Sequence, residues 1–340
     1  MKQVELTPGY WISPVIKGGW QLSTGHSLTK SIEEDSAISD IQTFVSAGIS
    51  TLDFGDIYTG VEVLVGKALR QINDPSAVHL HTKYVPNENF LENYDRSDAR
   101  DIVARSLDRL GVSRVDLVQF HWWRYEAHHY LAALEELFIL KEEGLIREVG
   151  ITNFDLPRLQ EMVVSGFKPA SAQLQYSILD RRPEEGMVEY CIENGIGILC
   201  YGTVAGGFLS ERYLNAPEPS SFETRSNVKY KLIIDDFGGW ALFQELLTLL
   251  DSIAHTHQTD IGTVASAYTL AKPGVKAVIV GARNVSHLPN NLLIPEIALS
   301  PSESASIAAI LDRSTGPTGP VYDLERYNER HRSIMHTNNN

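Results

Sequence analysis

The stretch GISTLDFGDIYTGVEVLVG, residues 48–66, contains one strand–turn–helix unit. The fold is predicted to consist of repeats of this unit. Residues 51–54 form a short apolar strand, a turn follows, and a helix begins at Val61. Asp53 and Tyr58 therefore lie at and just beyond the carboxyl end of a strand. Chemistry in α/β proteins is concentrated at such strand ends.

The same alternation of strand and helix recurs along most of the chain. Besides a first strand before Trp20, strands are predicted at 51–54, 79–85, 115–120, 148–152, 172–176, 197–201 and 277–280. Helices are predicted at 36–47, 61–71, 97–110, 130–143, 156–165, 183–194, 241–255, 261–270 and 302–311. This order indicates right-handed βαβ units and a parallel sheet.

About eight such units without a linker between blocks favour a closed (β/α)8 TIM barrel as a single domain over residues 1–313. The stretch 202–239, rich in Gly, Pro and Ser, predicts a long irregular loop after the seventh strand. Residues 314–340 are predicted to form a partly irregular C-terminal arm or disordered end, with packing over the barrel as one arrangement. The alternative is a doubly wound open sheet, although no strand leads into a G-x-G-x-x-G loop.

The composition excludes several functional classes. The chain has 340 residues and a formal net charge of −14, which argues against a nucleic-acid or anionic-membrane surface. Its two cysteines, Cys191 and Cys200, lie in apolar segments and indicate a reducing compartment. No signal peptide or membrane-spanning run is found, so we expect a cytoplasmic protein. The oligomeric state cannot be deduced from the sequence.

Four polar residues are predicted to converge at the carboxyl end of the barrel. Asp53 and Tyr58 follow the second strand, Lys83 ends the third and His121 follows the fourth. A buried lysine is costly unless it is paired, and an aspartate on the next strand offsets that cost. A buried ion pair with no chemical role remains the alternative explanation for Asp53 and Lys83.

These residues and several other motifs resemble the aldo-keto reductase superfamily over almost the whole chain. The runs DFGDIY, HTK and DLVQFHWW resemble its Asp-Tyr-Lys-His tetrad. GITNF (150–154), AQLQYSILDR (172–181), CYGTVAGGFL (200–209) and IVGARNVSHLPNNL (279–292) resemble further family signatures, in the expected order. The chain departs from the family at the DFGDIYTG turn, at Gly202-Thr203 in place of Ser-Pro, and at Val280 in place of proline.

The resemblance implies reduction of an aldehyde or ketone by hydride transfer from NADP(H), preferred over NAD(H). Tyr58 would be the general acid, since a nearby Lys83 ammonium favours the phenolate and lowers the phenol pKa. Asp53 would keep Lys83 charged, and His121 would orient the substrate carbonyl.

The resemblance also assigns cofactor residues. Thr152, Asn153 and Gln173 would bind the carboxamide, and Tyr201 would stack on the nicotinamide ring. The loop containing Gly202, Thr203, Val204 and Gly206 would approach the pyrophosphate. Residues at the last strand and the helix after it would bind the adenosine end: Gly281, Arg283, His287, Asn290 and Asn291. Arg283 suits a 2′-phosphate.

Trp20, Trp122 and Trp123 are candidates to wall the substrate pocket, although neighbours in an extended segment point in opposite directions. The substrate itself stays open. No metal site is expected, because neither His128-His129 nor His255 with His257 has a matching ligand set. The alternative to an enzyme is a cofactor-binding regulatory or accessory subunit with little turnover.

Overall fold

The protein is described by a computed structural model that covers residues 1–26 and 32–334. These residues form a closed barrel of eight parallel strands surrounded by helices. The predicted (β/α)8 barrel is confirmed. A doubly wound open sheet is ruled out because the first and last strands of the barrel pair with each other, from Val15 opposite Val278 to Gly18 opposite Gly281.

The strands are β1 (Val4–Thr7), β2 (Tyr10–Ile12), β3 (Val15–Gly18), β4 (Thr51–Asp53), β5 (His79–Tyr84), β6 (Val115–Phe120), β7 (Ile146–Thr152), β8 (Ser171–Gln175), β9 (Gly197–Tyr201) and β10 (Val275–Gly281). The first two form an antiparallel hairpin. The barrel order is β10-β3-β4-β5-β6-β7-β8-β9, so strands that follow each other in the chain are also neighbours in the barrel.

The helices are α1 (Glu34–Ser46), α2 (Val61–Leu69), α3 (Ser97–Leu110), α4 (Tyr130–Glu142), α5 (Leu156–Val164), α6 (Met187–Glu193), α7 (Arg225–Phe237), α8 (Gly239–Thr256), α9 (Ile261–Leu270), α10 (Leu288–Leu293), α11 (Pro301–Leu311), α12 (Asp323–Tyr327) and α13 (Glu329–Arg332). The apolar faces of α1 to α6 join the barrel strands in one hydrophobic core. A second core contains α7, α8 and α11.

The hairpin of β1 and β2 covers the amino end of the barrel. Tyr10 lies in a small core with Leu117 and Leu199, and its hydroxyl is 2.8 Å from His81 Nε2. The backbone nitrogen of Ser13 donates to Thr51 Oγ1, at the first residue of β4, over 3.0 Å. Because the hairpin covers this end, the opposite, carboxyl end is left for the candidate site.

Two segments differ from the sequence-based expectation. The helix predicted over 183–194 is divided by Gly186, whose φ of 88° ends a 3₁₀ turn before α6 begins. The sequence predicts an irregular loop over 202–239, but this stretch contains the 13-residue helix α7. This helix is stabilised by the buried side chains of Tyr230, Ile233, Ile234 and Phe237, which recur at helical spacing.

The C-terminal arm packs on the barrel as far as the structure describes it. Its short helices α12 and α13 follow an extended segment, and His331 Nε2 lies 2.8 Å from Asp236 Oδ2 at the end of α7. Thr315 Oγ1 donates to the backbone oxygen of Asp236 over 2.8 Å. Residues 335–340 of the arm lie outside the described residues. Every helix of residues 1–26 and 32–334 is too short or too polar to cross a bilayer.

Candidate active site

The carboxyl end of β4 and the turn after it hold Asp53 beside Lys83. In the parallel register, Asp53 lies opposite His81, two residues before Lys83 on β5. The backbone oxygen of Phe54 accepts a hydrogen bond from Lys83 Nζ over 2.7 Å. Gly55 makes this close approach possible, because a Cβ at this position would lie 3.3 Å from the Cβ of Lys83.

The altered DFGD turn has a structural explanation. Phe54 is only 1% exposed and packs in the main core. Asp56 Oδ1 is buried without a hydrogen-bond partner among the described residues. Burial and the neighbouring Glu62 raise the pKa of Asp56. Phe54 and Asp56 therefore pack beneath the site and do not form a wall of the pocket.

Asp53 and Lys83 form a buried ion pair. Lys83 Nζ lies 2.6 Å from Asp53 Oδ1, and both side chains are about nineteen-twentieths buried. Asp53 Oδ2 accepts hydrogen bonds from the side-chain amides of Gln119 and Gln173, each over 2.7 Å. With every carboxylate oxygen bonded, Asp53 is fixed in position. Burial lowers the pKa of Lys83, but Asp53 and Tyr58 outweigh it and raise the pKa overall, so the ammonium stays charged.

Tyr58 lies against this pair at the barrel mouth. Lys83 Nζ is 5.0 Å from the centre of the Tyr58 ring, and the Trp20 ring centre is also 5.0 Å from it. Burial raises the pKa of the Tyr58 phenol, and Lys83 lowers it by less. The pKa is therefore raised overall, whereas the sequence predicts a lowered pKa, because the effect of desolvation exceeds that of the Lys83 ammonium. Tyr58 therefore retains its proton at neutral pH, as a proton donor must.

His121 is neutral and has one ring nitrogen free for a ligand. Nδ1 is 3.2 Å from the backbone oxygen of Thr152. A carbonyl oxygen only accepts, so Nδ1 carries the proton and Nε2 carries the lone pair. Nε2 is buried without a partner among the described residues. Burial, together with the charge of Arg326, lowers the pKa of His121 to about 3. In this tautomer Nε2 accepts from an alcohol hydroxyl; donation to a carbonyl requires the other tautomer.

The two tryptophans after His121 point in opposite directions. The Trp123 ring packs edge-on against His121 at 4.5 Å. Trp122 is fully buried beside Phe120 and Tyr94, and its Nε1 donates to the backbone oxygen of Ala127 over 2.9 Å. The structure thus places Trp122 in the hydrophobic core. Only Trp123, together with Trp20, remains a candidate for the pocket wall.

The residues predicted to bind the nicotinamide carboxamide are close together but already bonded to one another. Asn153 Oδ1 accepts from the Tyr201 hydroxyl over 2.8 Å. Thr152 Oγ1 lies 3.5 Å from Gln173 Oε1. The amide nitrogen of Gln173 is bonded to both Asp53 and Gln119, which commits its two hydrogens. Gln173 is therefore part of the support for Asp53.

The glycine loop after β9 lies beneath α7. A Cβ at Gly202 would come within 2.3 Å of the Tyr230 hydroxyl, and one at Gly206 would come within 2.8 Å of the same ring. Asn227 Nδ2 donates to the Gly206 backbone oxygen over 3.0 Å. Thr203 is buried, with its hydroxyl 3.0 Å from Ser266 Oγ. Val204 lies between these residues, partly buried.

The ring of Tyr201 has a cation over one face. Lys229 Nζ lies 5.2 Å from the ring centre. The same ammonium is 3.6 Å from Glu325 Oε1, on the C-terminal arm. A nicotinamide that stacks on this face of Tyr201 therefore requires Lys229 to move aside.

Of the residues predicted to bind the adenosine end of the cofactor, some have polar groups without a hydrogen-bond partner among the described residues, and others are already hydrogen-bonded. Arg283 and His287 are exposed, and Asn291 Nδ2 is buried without a partner among the described residues. Asn290 donates from Nδ2 to Asp260 Oδ2 over 2.5 Å. Gly281 lies beside Gln21. Arg283 precedes the 3₁₀ turn that leads into α10, so it does not share a helix face with His287 and Asn291.

The sequence model of the aldo/keto reductase family matches residues 14–312. The chain belongs to the aldo/keto reductase family. The NADH-specific methylglyoxal reductase of Escherichia coli is 25% identical over 331 residues, covering 89% of this chain and 96% of the relative.

Solved structures of aldo/keto reductases share the fold. A thermostable aldo-keto reductase in complex with the inhibitor epalrestat is 26% identical, with a TM-score of 0.73, and the match covers 91% of this chain and 100% of the other. An aldo/keto reductase from Klebsiella pneumoniae, in complex with NADP and acetate, is 19% identical, with a TM-score of 0.69 and coverage of 91% and 95%. Family and relatives support an oxidoreductase that acts on carbonyl groups with a nicotinamide cofactor.

The structure adds residues to this aldo/keto reductase site that the sequence did not reveal. Gln119 could have been found, because it alternates with Leu117 and His121 along β6 and must face the same side. The others lie on α7 and the C-terminal arm, and no local pattern brings them to the barrel mouth: Lys229, Tyr322, Glu325 and Arg326.

Glu325 joins the arm to the barrel through buried charges. Its carboxylate is 3.1 Å and 3.2 Å from the two terminal nitrogens of Arg182. Arg182 also bonds Asp180, with 2.7 Å between Nη2 and Oδ2. Burial alone would raise the pKa of Glu325, but Arg182 and Lys229 outweigh it and lower the pKa to about 2. The arm is thus held across the mouth of the site by a network of four charges.

Proposed function

We propose that this protein reduces an aldehyde or ketone to the alcohol and uses NADPH in preference to NADH. One observation carries the proposal: Lys83 Nζ lies 2.6 Å from Asp53 Oδ1 and beside the Tyr58 ring, where neighbouring barrel strands end. A charged, fixed lysine beside a protonated phenol is an arrangement suited to proton donation. A bound nicotinamide would supply the hydride.

The proposed roles follow from the contacts. Tyr58 donates its proton to the substrate oxygen, and Lys83 stabilises the phenolate that remains. Asp53, fixed by Gln119 and Gln173, keeps Lys83 charged and in place. The side chain of His121 presents Nε2 to the ligand, where it accepts from the product hydroxyl in the tautomer described above, or donates to the carbonyl in the other tautomer.

The pH dependence of reduction should be flat near neutrality. The pKa of His121 is lowered to about 3, so the imidazole stays neutral throughout the assay range. The pKa of Tyr58 is raised above 10.0, so its proton is retained. We expect kcat/KM for reduction to change less than about threefold between about pH 5 and pH 9. A steep fall near pH 6.5 would contradict the assigned state of His121.

Cofactor preference is assigned to Arg283, which is exposed next to the carboxyl end of β10. A guanidinium binds a 2′-phosphate with charged hydrogen bonds that NADH cannot form. The counter-observation is that the Escherichia coli relative is named as NADH-specific. The preference for NADPH is therefore proposed from this residue and not from the relatives.

Arg283→Ala should raise the Kd for NADPH by about 10- to 100-fold and that for NADH by less than about threefold. Fluorescence quenching titrations with both cofactors would measure this. Arg313→Ala is the matched control, because Arg313 is exposed and pairs with Glu245 on α8. Equal losses for both cofactors would refute the role of Arg283.

The competing proposal is a cofactor-binding regulatory or accessory subunit with little turnover. The position of Lys229 over the Tyr201 ring supports this alternative, because an ammonium on the face where the nicotinamide would stack hinders cofactor binding. A panel of aldehydes and ketones, with NADPH and NADH absorbance followed over time, separates the two. Cofactor binding without turnover of any compound would favour the subunit.

A cytoplasmic location is part of the same proposal. Its support is that both cysteines, Cys191 and Cys200, are buried and unpaired. Free thiols are typical of reducing compartments. Detection of the protein in a cell fraction outside the cytoplasm would contradict it.

A further inference from the structure

Lys17, on β3, is a buried lysine that the proposed mechanism does not use. Its neighbour Ile16 packs inside the barrel with Leu117, so Lys17 points the other way, towards the helices. It is 2% exposed, and its Nζ lies 4.9 Å from the centre of the Phe44 ring on α1. The cavity beside it is lined mainly by apolar residues: Leu22, Ile41, Leu52, Val61 and Val65.

The charge of Lys17 has no carboxylate partner. Burial lowers the pKa of its ammonium to about 8, and Asp40 on α1 opposes this shift. Within residues 1–26 and 32–334, however, Lys17 forms no ion pair, whereas the equally buried Lys83 has one with Asp53. A buried ammonium without a counter-ion costs free energy, and an apolar side chain of similar length would fill the same space without that cost. The packing of the barrel therefore does not explain a lysine at this position.

The ammonium bonds instead to the loop after β10. Lys17 Nζ donates to the backbone oxygen of Ala282 over 2.9 Å. Ala282 is 1% exposed, whereas Gly281 and Arg283 on either side of it are exposed. The carbonyl of Ala282 and the N–H of Arg283 belong to one planar peptide group. A bond that fixes this carbonyl therefore fixes the plane in which the backbone of Arg283 begins.

The backbone of Arg283 is held on its other side as well. Asn284 Oδ1 accepts from the backbone nitrogen of Ser286 over 3.0 Å, at the start of the 3₁₀ turn Val285–His287. That bond is exposed, whereas the bond from Lys17 is buried and charge-assisted, and charge-assisted bonds are about twice as strong as neutral ones. Arg283 thus carries its exposed guanidinium on a fixed backbone. A preorganised donor needs less ordering when its ligand binds.

We propose that Lys17 is a positioning residue for the cofactor. It acts through Arg283: by holding the Ala282 carbonyl, it places the guanidinium for the 2′-phosphate that distinguishes NADPH from NADH. Lys17 itself does not contact the cofactor. The inference rests on the proposed preference for NADPH and names a second residue on which that preference depends.

A double-mutant cycle tests this role. Kd values for NADPH and NADH are measured by fluorescence quenching for the wild-type protein, Lys17→Met, Arg283→Ala and the double variant. Lys17→Met should raise the Kd for NADPH by about 5- to 20-fold and that for NADH by less than about twofold. In the Arg283→Ala background, Lys17→Met should alter the Kd for NADPH by less than about twofold, because the guanidinium that Lys17 positions is absent.

Lys67→Met is the matched control. Lys67 is exposed on α2 and pairs with Glu34, so this variant removes the same charge without touching the loop after β10. Both of its Kd values should stay within about twofold of wild type. Methionine suits the apolar surroundings of Lys17, and circular dichroism together with the NADH titration checks that Lys17→Met is folded. Lys17→Leu is a second apolar replacement, with the same expected result, if Lys17→Met does not fold.

Three outcomes would overturn the role of Lys17. They are an unchanged Kd for NADPH, equal losses for both cofactors in a folded variant, and an NADPH loss of the same size in the Arg283→Ala background. If Arg283→Ala itself leaves the Kd for NADPH unchanged, the proposed cofactor preference fails. If it weakens NADPH binding and Lys17→Met does not, only the role of Lys17 fails.

Discussion

Replacing Tyr58 with phenylalanine is expected to lower kcat for carbonyl reduction by about 10²- to 10⁴-fold, the range typical of a lost general acid. The substitution removes only the hydroxyl and leaves the ring against Trp20 and Lys83. Cofactor affinity should therefore change by less than about threefold. Steady-state rates and a fluorescence titration on the same preparation measure the two quantities.

Tyr327→Phe is the matched control for this substitution. Tyr327 is 50% exposed on the same arm that covers the site, and it should retain wild-type kcat when its hydroxyl is removed. Activity that survives in Tyr58→Phe would show that another group donates the proton. If cofactor binding were lost together with turnover, Tyr58 would be needed for the folded structure of the site and not as the proton donor.

Glu325→Gln is expected to lower the free energy of unfolding by about 3–5 kcal/mol, because it leaves Arg182 and Lys229 short of a buried negative charge. The Arg182 and Glu325 side chains are each only 1% exposed, so water does not replace the lost partner. Urea titrations of both proteins measure the difference. Glu245→Gln makes the same change at an exposed pair with Arg313 and should change the stability by less than about 1 kcal/mol.

The same carboxylate should make the stability depend on pH. The pKa of Glu325 is lowered from 4.5 to about 2 in the folded protein. Its contribution, roughly 3 kcal/mol, is fully present above the unfolded pKa and is lost as the pH falls from about 4.5 through about 2. In Glu325→Gln this part of the acid dependence should disappear. An unchanged acid profile would contradict the assigned role of the carboxylate.

The barrel could be predicted because its signals are local. Each βα unit has a strand of apolar residues, a turn and a helix with its own apolar face, as in residues 48–66. That Asp53, Lys83 and His121 lie at one end of the barrel followed from the topology, since the carboxyl ends of parallel strands meet at one face of a barrel. Asp53 and Lys83 therefore had to be neighbours once their strands were placed in sequence order. The proposed roles of these residues came from the resemblance to the family.

The residues over the mouth could not be predicted in the same way. The prediction of an irregular loop over 202–239 missed α7, although four buried apolar residues recur there at helical spacing: Tyr230, Ile233, Ile234 and Phe237. In the arm, Glu325 and Arg326 resemble solvent-exposed charges, and only their contacts with residues far away in the chain bury them. The direction of the Tyr58 pKa shift also could not be predicted, because it depends on how deeply the phenol is buried, and desolvation outweighs the effect of Lys83.

The central claim is that this site transfers a hydride from a nicotinamide to a carbonyl carbon. It is tested most directly with NADPH that carries deuterium at both positions of nicotinamide C4, incubated with an aldehyde that the protein reduces. Mass spectrometry and proton NMR of the product should show one deuterium on the carbinol carbon in the wild-type reaction, and at least about 10²-fold less product in the same time with Tyr58→Phe. A product alcohol without deuterium, or one formed equally by both proteins, would contradict the account.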